Sequence, residues 1–342
     1  MAETESNREW NIKREDLNFP YEVMFKGALD NINPLGVALK TWKRLNILNP
    51  DVLIIGGYSY PACWAGFFWA KLNDKNIILW SASNEEDRKR SVLKEKIKGF
   101  LIKRFDAANV YGKKSKDYLV KLGMKEDSIF IKGNTTDNAF YYDETMRLKA
   151  KREALCKQFG IPFHNFLYIG RFSKEKNLLL LLSAYKKLNA DDWGLILVGN
   201  GPKYQELIDF IDKNSIRNVF MPGFKQKEEI PQYLAVSDVF ILPSISEPWG
   251  LVVNEAMAAG LSVLVSKRCG CYPDLVREGV NGFAFDPYNV EELYGLIKNV
   301  VDGIYDLEAM GKASLDIIKD YTPERAAEVI KKTIEFVLNI GI

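Results

Sequence analysis

Glu247 and Glu255 flank the start of a predicted helix in the second half of the chain. Before them, residues 239–242 form a short apolar run of the kind that a buried parallel strand has. A loop with proline and glycine follows, and residues 251–257 have a helical pattern that Gly260 ends. The order of elements is therefore strand, loop and helix, with one glutamate in the loop and the other one turn inside the helix.

Such a helix start is suited to bind an anion. The backbone amides of Gly250, Leu251 and Val252 point out of the helix end, where the macrodipole favours a group such as a diphosphate. A carboxylate repels phosphate, so Glu247 and Glu255 are better suited to accept hydrogen bonds from hydroxyl groups. An anion with hydroxyl-binding carboxylates beside it describes a nucleotide sugar. The alternative is that one glutamate caps the loop and the other is a solvated helix residue.

Two cations follow the strand predicted at residues 166–169. Gly170 and Arg171 end this strand, and Lys176 lies at the start of the next, leucine-rich helix. Arginine presents a planar fork that fits phosphate oxygens, and lysine presents a point charge. Because ligands bind at the carboxyl ends of strands in open α/β sheets, these two residues could neutralise a leaving diphosphate without a metal. The alternative is a pair of solvated surface cations.

The composition describes a globular protein with no global bias toward nucleic acid. The chain has 342 residues, of which 47% are hydrophobic and 27% charged, with a formal net charge of +2. Its four cysteines lack metal-ligand spacing, so we expect reduced thiols and no metal site. No apolar run is long enough to span a membrane, and the acidic first residues are unlike a signal peptide. We therefore expect a cytoplasmic protein.

Strands and helices alternate along both halves of the chain, which predicts two doubly wound, Rossmann-like parallel sheets. In the first half, a weak strand candidate at 21–25 precedes clear ones at 51–55, 76–80, 107–111 and 128–131. A charged helical segment at 137–159 is the predicted linker. The predicted domains are residues 1–160, short at the front, and residues 161–322.

The stretch from Glu247 to Glu255 resembles the E-x7-E signature of the retaining family 4 glycosyltransferases of bacterial polysaccharide and glycoconjugate synthesis. The Gly170-Arg171 and Glu175-Lys176 pairs are similar to that family's as well. The resemblance implies the GT-B fold, in which two Rossmann-like domains face each other across a cleft. It also implies that the last helix, within residues 323–342, packs back on the first domain.

The resemblance implies a role for each matching residue. Glu247 would contact the donor hexose, Glu255 would hold the ribose hydroxyls, and Arg171 and Lys176 would stabilise the leaving group. The predicted catalytic residues are thus Arg171, Lys176 and Glu247. The predicted donor-binding residues are Gly170, Gly199, Gly201, Phe224, Lys225, Gly250, Leu251, Val252 and Glu255. On the acceptor side the candidates are Gly56, Gly57, Ser83, Asn84 and Glu85, the last three standing where family members often have a histidine.

The reaction implied is the transfer of a hexose, with retention, from a UDP- or GDP-sugar to a hydroxyl of a glycan or lipid-linked glycan. No cofactor and no metal are expected. Two alternatives remain open. One is a nucleotide-sugar-binding GT-B protein with little or no transferase activity, and the other is a GT-B sugar-nucleotide epimerase.

Residues 88–104 contain eight basic residues and one acidic residue, in a segment with a helical pattern. Leu93, Ile97, Phe100 and Leu101 share one face of this helix. A basic amphipathic helix can bind the surface of an anionic membrane, so peripheral contact at the inner membrane face is one interpretation. The other is a helix that packs its apolar face on the sheet and exposes a basic back.

Overall fold

The structure is a computed structural model that describes residues 2–4, 19–28, 33–58, 60–87, 91–188 and 190–339. In this part of the chain, strands β1 (Ala2–Thr4) and β2 (Phe25–Ala28) form a small parallel sheet. A four-stranded sheet follows, in the order β3-β4-β5-β6. Its strands are β3 (Val52–Gly56), β4 (Asn76–Ser81), β5 (Ala107–Val110) and β6 (Ile129–Ile131).

Helices connect these strands. They are α1 (Pro34–Leu48), α2 (Pro61–Leu72), α3 (Val92–Ile102) and α4 (Lys113–Lys121). Two further helices, α5 (Asn138–Lys149) and α6 (Arg152–Phe159), lead into the second half. Pro34 and Pro61 each occupy the first helical position, where proline costs no intrahelical hydrogen bond and its fixed φ suits the helix.

The second half is built on a six-stranded sheet in the order β12-β11-β10-β7-β8-β9, and all its neighbouring strands pair in parallel. The strands are β7 (His164–Ile169), β8 (Trp193–Val198), β9 (Val219–Gly223), β10 (Val239–Leu242), β11 (Ser262–Ser266) and β12 (Gly282–Phe285). The helices are α7 (Leu178–Tyr185), α8 (Tyr204–Lys213), α9 (Ile230–Ala235), α10 (Leu251–Ala258), α11 (Val290–Val301), α12 (Leu307–Ile318) and α13 (Pro323–Leu338).

Strands β7, β8, β10 and β11 each have a central apolar run, and all their residues except His164 are buried. This is the pattern of parallel strands that are covered on both faces, and it accounts for the accuracy of the strand predictions here. The α/β class with two parallel sheets is confirmed. The weak strand candidate at 21–25 is wrong, because residues 21–24 have no regular structure and β2 begins at Phe25.

The chain divides into two compact units. The first unit comprises residues 1–81, 104–109 and 332–342, and the second comprises residues 82–103 and 110–331. Within the first unit, the buried Asn109 donates from Nδ2 to Oγ1 of Thr333 in the second half of α13, at 2.7 Å. The domain boundaries that we predicted, at residues 160 and 322, remain a prediction.

Candidate active site

The predicted donor-binding residues lie in the second unit, at the carboxyl edge of the six-stranded sheet. Strands β10, β7, β8 and β9 are neighbours in that order and run in parallel, so the four loops that leave them emerge side by side. Gly170 follows β7, Gly199 follows β8, Phe224 follows β9, and Glu247 is in the loop after β10. Residues far apart in sequence therefore reach one edge because the strands are parallel.

Gly199 occupies a place that admits no side chain. Its φ of +145° lies outside the range of most L residues, and a Cβ there would stand 1.9 Å from the carbonyl oxygen of Gly170. Its amide donates to the carbonyl of Gly223 at 2.9 Å, and the amide of Gly170 donates to that of Val198 at 3.0 Å. The turns after β7, β8 and β9 are thus held together through the backbone.

Lys176 and Glu247 form an ion pair at this edge, between Nζ and Oε2. Both side chains are largely buried, with 19% and 13% of their surface exposed. Their loops are joined by a backbone hydrogen bond from Ile245 to the carbonyl of Glu175, at 2.9 Å. Two of the predicted catalytic residues are therefore in direct contact, which holds the ammonium group in place before any ligand arrives.

The loop that carries Glu247 is held from its other side by the segment after β11. Gly270 donates its amide to the carbonyl of Glu247 at 2.9 Å, and Cys271 donates to that of Trp249 at 3.1 Å. The indole of Trp249 donates to the side-chain oxygen of the buried Asn254 at 2.9 Å. Both ends of the loop are anchored, so the position of the Glu247 carboxylate is set by packing and not by the loop alone.

Arg171, the third predicted catalytic residue, is exposed on the loop after β7. Its carbonyl accepts a hydrogen bond from the hydroxyl of the buried Tyr168 at 3.1 Å, which fixes the backbone from which the guanidinium extends. An exposed guanidinium on a fixed backbone can meet a phosphate at the surface of the loop.

Helix α10 begins next to this ion pair. Its N-cap, Gly250, has a φ of +101°, and no side chain caps the helix. The first-turn amides, those of Leu251 and Val252 included, therefore point toward any anion at the helix start. A cation, an ion-paired carboxylate and a helix N-terminus therefore stand on adjacent loops, and the ion pair itself is a contact that we did not predict.

Glu255 lies one turn inside α10, which packs against α5 and its buried Tyr141. Burial raises the pKa of Glu255 to about 7, against the opposing effects of Tyr141 and of the positive charge on Lys227. This carboxyl group consequently exchanges its proton near neutral pH.

Phe224 and Lys225 lie in the turn between β9 and α9. Nζ of Lys225 is 3.5 Å from Oε1 of Glu229, and Gln226 and Glu229 form a reciprocal capping box that shapes the turn. This turn neighbours the one after β8 in the sheet order.

The acceptor-side candidates are divided between the two units. Ser83, Asn84 and Glu85 belong to the second, where the buried Asn84 accepts a hydrogen bond from the amide of Glu86 at 2.9 Å and Glu85 pairs with Lys121. Gly56 and Gly57 end β3 in the first unit, and the amide of Gly57 donates to Trp80 at 3.0 Å. Their part in binding an acceptor stays a prediction.

Arg268, a further residue that we did not predict, connects the acceptor-side segment to the Glu247 loop. Its Nε donates to the carbonyl of Ile245 at 2.6 Å, and its Nη2 donates to that of Glu86. Arg268 had no signal in the sequence, because its partners are distant along the chain. Nothing else marks a single arginine after a strand as a functional residue.

Within the described residues, no group of three or more histidine, cysteine, aspartate or glutamate side chains is arranged to hold a metal ion. All four cysteines are free thiols, and Cys269 and Cys271 are buried.

Solved structures share this architecture. A glycosyltransferase from Rickettsia africae superposes with a TM-score of 0.75 at 17% identity, covering 93% of this chain and 86% of that chain. HepE from Anabaena, crystallised in complex with UDP, gives a TM-score of 0.76 at 21% identity, covering 92% and 86% of the two chains. At these identities the likeness concerns the fold, and it confirms that this is a GT-B protein.

The second half of the chain is similar to a known family. Residues 159–315 match the family model described as glycosyl transferases group 1. The sulfoquinovosyl transferase of Arabidopsis thaliana is 34% identical over 168 residues, 48% of this chain and 32% of that protein. An uncharacterized glycosyltransferase of Methanocaldococcus jannaschii is 23% identical over 319 residues, 93% of this chain and 84% of that protein.

The predicted enzyme class, a glycosyltransferase, is confirmed for this segment by the family match and by the names of its relatives. The chain spans less than half the length of most of the curated relatives that it matches. What the whole protein transfers, and to what, is therefore the subject of a proposal.

Proposed function

We propose that this protein is a retaining glycosyltransferase that moves a hexose from a UDP- or GDP-sugar to a hydroxyl of a glycan or lipid-linked glycan. The observation that carries the proposal is the Lys176–Glu247 ion pair beside the uncapped start of α10, at the carboxyl edge of the sheet. HepE, which shares the fold, has been crystallised with UDP and with UDP-glucose, and this supports UDP as the first nucleotide to test.

In the proposed reaction the bond between the anomeric carbon and the diphosphate breaks, and the acceptor hydroxyl forms the new bond on the same face of the sugar. The proton of that hydroxyl passes to the departing diphosphate. Arg171, Lys176 and the first amides of α10 stabilise the negative charge that develops there. Glu247 accepts hydrogen bonds from the hexose, and Glu255 accepts them from the ribose. We propose that these groups suffice without a metal.

The test combines nucleotide binding with transfer. UDP, GDP and their hexose derivatives are added to the full chain, and the melting temperature is measured, because a ligand that binds only the folded state raises it. Acceptor and product are then analysed for the nucleotide sugar that binds, with and without EDTA. We expect one nucleotide family to raise the melting temperature and hexose transfer to continue in EDTA.

Lys176→Ala and Lys174→Ala are a matched pair for this test. Both lysines lie in the same short turn after β7, but Lys174 is exposed and Lys176 pairs with Glu247. We expect Lys176→Ala to lower kcat by about 100-fold or more and Lys174→Ala to leave it unchanged. Equal rates for the two variants would contradict the role of Lys176. Donor binding without transfer to any acceptor would favour a binding protein, and a changed sugar without acceptor would favour an epimerase.

We also propose that the protein works in the cytoplasm and contacts an anionic membrane through the basic segment at 88–104. Its residues 88–90 lie outside the described part of the chain. None of the helices that the structure describes is both long and apolar enough to cross a membrane. Free thiols on all four cysteines support a reducing compartment.

The support for membrane contact is the orientation of α3. Val92, Leu93, Ile97 and Phe100 are 76%, 69%, 56% and 60% exposed. The apolar face of the helix is therefore not packed on the sheet, contrary to one of our two interpretations. Lys96 and Lys103, also exposed, add positive charge to this helix. An apolar face with lysines nearby suits a surface of anionic lipid.

A further inference from the structure

The short turn that carries Lys176 ends at Asn177, whose backbone is left-handed with a φ of +58°. Asn177 is also the N-cap of α7, yet its side chain does not cap that helix. Its Nδ2 instead donates to the carbonyl of Pro243 at 3.3 Å and to that of Pro287 at 2.7 Å. The side chain thus joins the loop after β7 to the segments that follow β10 and β12.

Lys176 is held through both of its neighbours in the chain. The carbonyl of Glu175 accepts a hydrogen bond from the amide of Ile245 at 2.9 Å. On the other side of the lysine, the side chain of Asn177 bonds to Pro243 in the same loop. The backbone of the lysine therefore cannot leave the loop after β10 without breaking one of these contacts. That loop also carries the carboxylate with which the lysine pairs.

The two anchoring points of Asn177 are themselves restricted. Pro243 follows β10 directly and Pro287 lies shortly after β12, and the ring of each proline fixes its φ. A lysine side chain is long and flexible, so it loses conformational freedom when its ammonium group is held in one place. With its backbone fixed beforehand, less of that loss remains to be paid when a ligand binds.

We propose that Asn177 is a positioning residue of the site, whose side-chain amide holds the backbone beside Lys176 so that the ammonium group meets the β-phosphate of the nucleotide. Both donor hydrogens of this amide are engaged by backbone carbonyls, so Asn177 acts on the ligand through Lys176. The inference rests on the proposed function, because it assumes that Lys176 binds the diphosphate.

Asn218 provides a matched control. It too has a positive φ, of +56°, and its Nδ2 donates to two backbone carbonyls, those of Asp191 at 2.9 Å and Trp193 at 3.4 Å. These contacts lie at the amino ends of β8 and β9, on the edge of the sheet opposite to the site. Glycine in place of either asparagine adopts the left-handed backbone without strain and removes two hydrogen bonds. Asn177→Gly and Asn218→Gly should therefore have similar melting temperatures.

The test compares a nucleoside diphosphate with its monophosphate, because only the diphosphate has the β-phosphate. UDP and UMP, or GDP and GMP if the parent binds guanine nucleotides, are titrated calorimetrically into the full chain. The measured quantity is the ratio of the two dissociation constants. We expect the parent to prefer the diphosphate and Lys176→Ala to lower this preference by about tenfold or more. Asn177→Gly should lower it by about fivefold, whereas Asn218→Gly should have the ratio of the parent.

Two more variants separate positioning from a merely structural role. The double variant Lys176→Ala/Asn177→Gly should have the same ratio as Lys176→Ala, because Asn177 has no effect on the β-phosphate once the lysine is gone. Asn177→Asp retains the size of the side chain and has no hydrogens to donate to the two carbonyls. It should lower the preference at least as much as Asn177→Gly, and it tests the proposal even if the glycine variant is poorly folded.

The outcomes are distinguishable. If the parent binds neither UDP nor GDP, the proposed function itself fails. If the parent binds but Lys176→Ala keeps the preference for the diphosphate, the proposed role of Lys176 fails. If Lys176→Ala loses the preference and Asn177→Gly or Asn177→Asp keeps it, the role of Asn177 is refuted. That role is refuted equally if Asn177→Gly weakens both nucleotides by one factor, because a general loss of packing has that result.

Discussion

At the scale of single residues, the site depends on carboxylates whose surroundings differ. Glu247 is neutralised by direct contact with Lys176. Burial raises the pKa of Glu255 to about 7. The two glutamates therefore suit different tasks, since the first is part of a fixed ion pair and the second can exchange a proton near neutral pH.

The raised pKa of Glu255 predicts how the stability of the unliganded protein depends on pH. A carboxyl group with a pKa of about 7 in the folded state, above the usual value for glutamate, favours folding while it is protonated. This contribution to the stability of the folded state is complete at pH values below the pKa that Glu255 has in the unfolded chain. It is lost as the pH rises through about 7. We therefore expect the melting temperature of Glu255→Gln, measured relative to that of the parent, to increase from pH 5 to pH 8.5.

The control for this prediction is Glu228→Gln, which changes an exposed glutamate in the turn after β9. Differential scanning calorimetry of the three proteins at four pH values measures it. A constant difference between Glu255→Gln and the parent at every pH would show that the raised pKa is not realised in the folded protein.

At the scale of elements, the loops at the carboxyl edge are joined so closely that glycine is required. A methyl group on Gly199 would meet the backbone oxygen of Gly170 at 1.9 Å, in a conformation that alanine rarely adopts. Gly295 is in the middle of α11, and a methyl group there meets nothing within 4 Å. The two positions differ in every respect that decides the effect of an added Cβ.

We therefore expect opposite results from the same substitution. Gly199→Ala should lower the free energy of unfolding by at least about 2 kcal/mol, because overpacking against the backbone adds to backbone strain. Gly295→Ala should raise it by about 0.5 to 1 kcal/mol, because alanine is the better helix former. Urea denaturation measures both. A stable Gly199→Ala with unchanged nucleotide binding would contradict the account of these loops.

Helix α3 exposes several apolar side chains, although Ile102 is buried, and a close approach explains its orientation. A Cβ on Gly99 would stand 2.8 Å from the carbonyl oxygen of Leu122, so this face of the helix must turn inward. On the same side, Lys98 donates to Oε1 of Glu95 and to the hydroxyl of Tyr118, each at 2.8 Å. With that face engaged, Leu93, Ile97 and Phe100 point outward.

We expect the full chain to sediment with vesicles that contain anionic lipid, and to do so less at high salt, because screening weakens the attraction of the lysines. The double variant Leu93→Ser/Ile97→Ser should lose this binding. Leu72→Ser, which changes an equally exposed apolar side chain (73%) at the end of α2, is the control and should retain it. Absence of binding to anionic vesicles at either salt concentration would refute the membrane contact.

At the scale of the whole molecule, the fold joins residues that are distant along the chain. Asn109 and Thr333 are 224 residues apart and form a buried hydrogen bond of 2.7 Å in the first unit. The first unit is thus completed by the end of α13. We therefore expect the stability of the first unit to depend on the side chain of Thr333, which is far in sequence from most of that unit.

Thr333→Val tests this dependence, because it removes the hydroxyl and preserves the shape of the side chain. We expect it to lower the free energy of unfolding by about 1 to 3 kcal/mol, since the amide of Asn109 is left buried without this acceptor. Thr333→Ser keeps the hydroxyl and should cost less. The prediction is wrong if valine and serine have equal effects in urea denaturation.

The sequence alone determined the elements of the second half and the edge at which the site lies. Its strands are continuous apolar runs between glycine turns, and this signal is local, so β10 was predicted with its observed bounds. The parallel order then brings Gly170, Gly199 and Glu247 to one edge, whatever the details of packing. The first strand region was less predictable, because residues 21–25 have a weak pattern and pairing decides where β2 begins.

Tertiary structure alone decided which side chains act on one another. The contacts of Arg268 with Ile245 and of Asn109 with Thr333 join residues whose sequence neighbours give no hint of a partner. The outward face of α3 was likewise decided by Gly99 and its approach to Leu122, and not by the apolar stripe. Periodicity reports how a segment is built, whereas burial and contact depend on what the rest of the chain places against it.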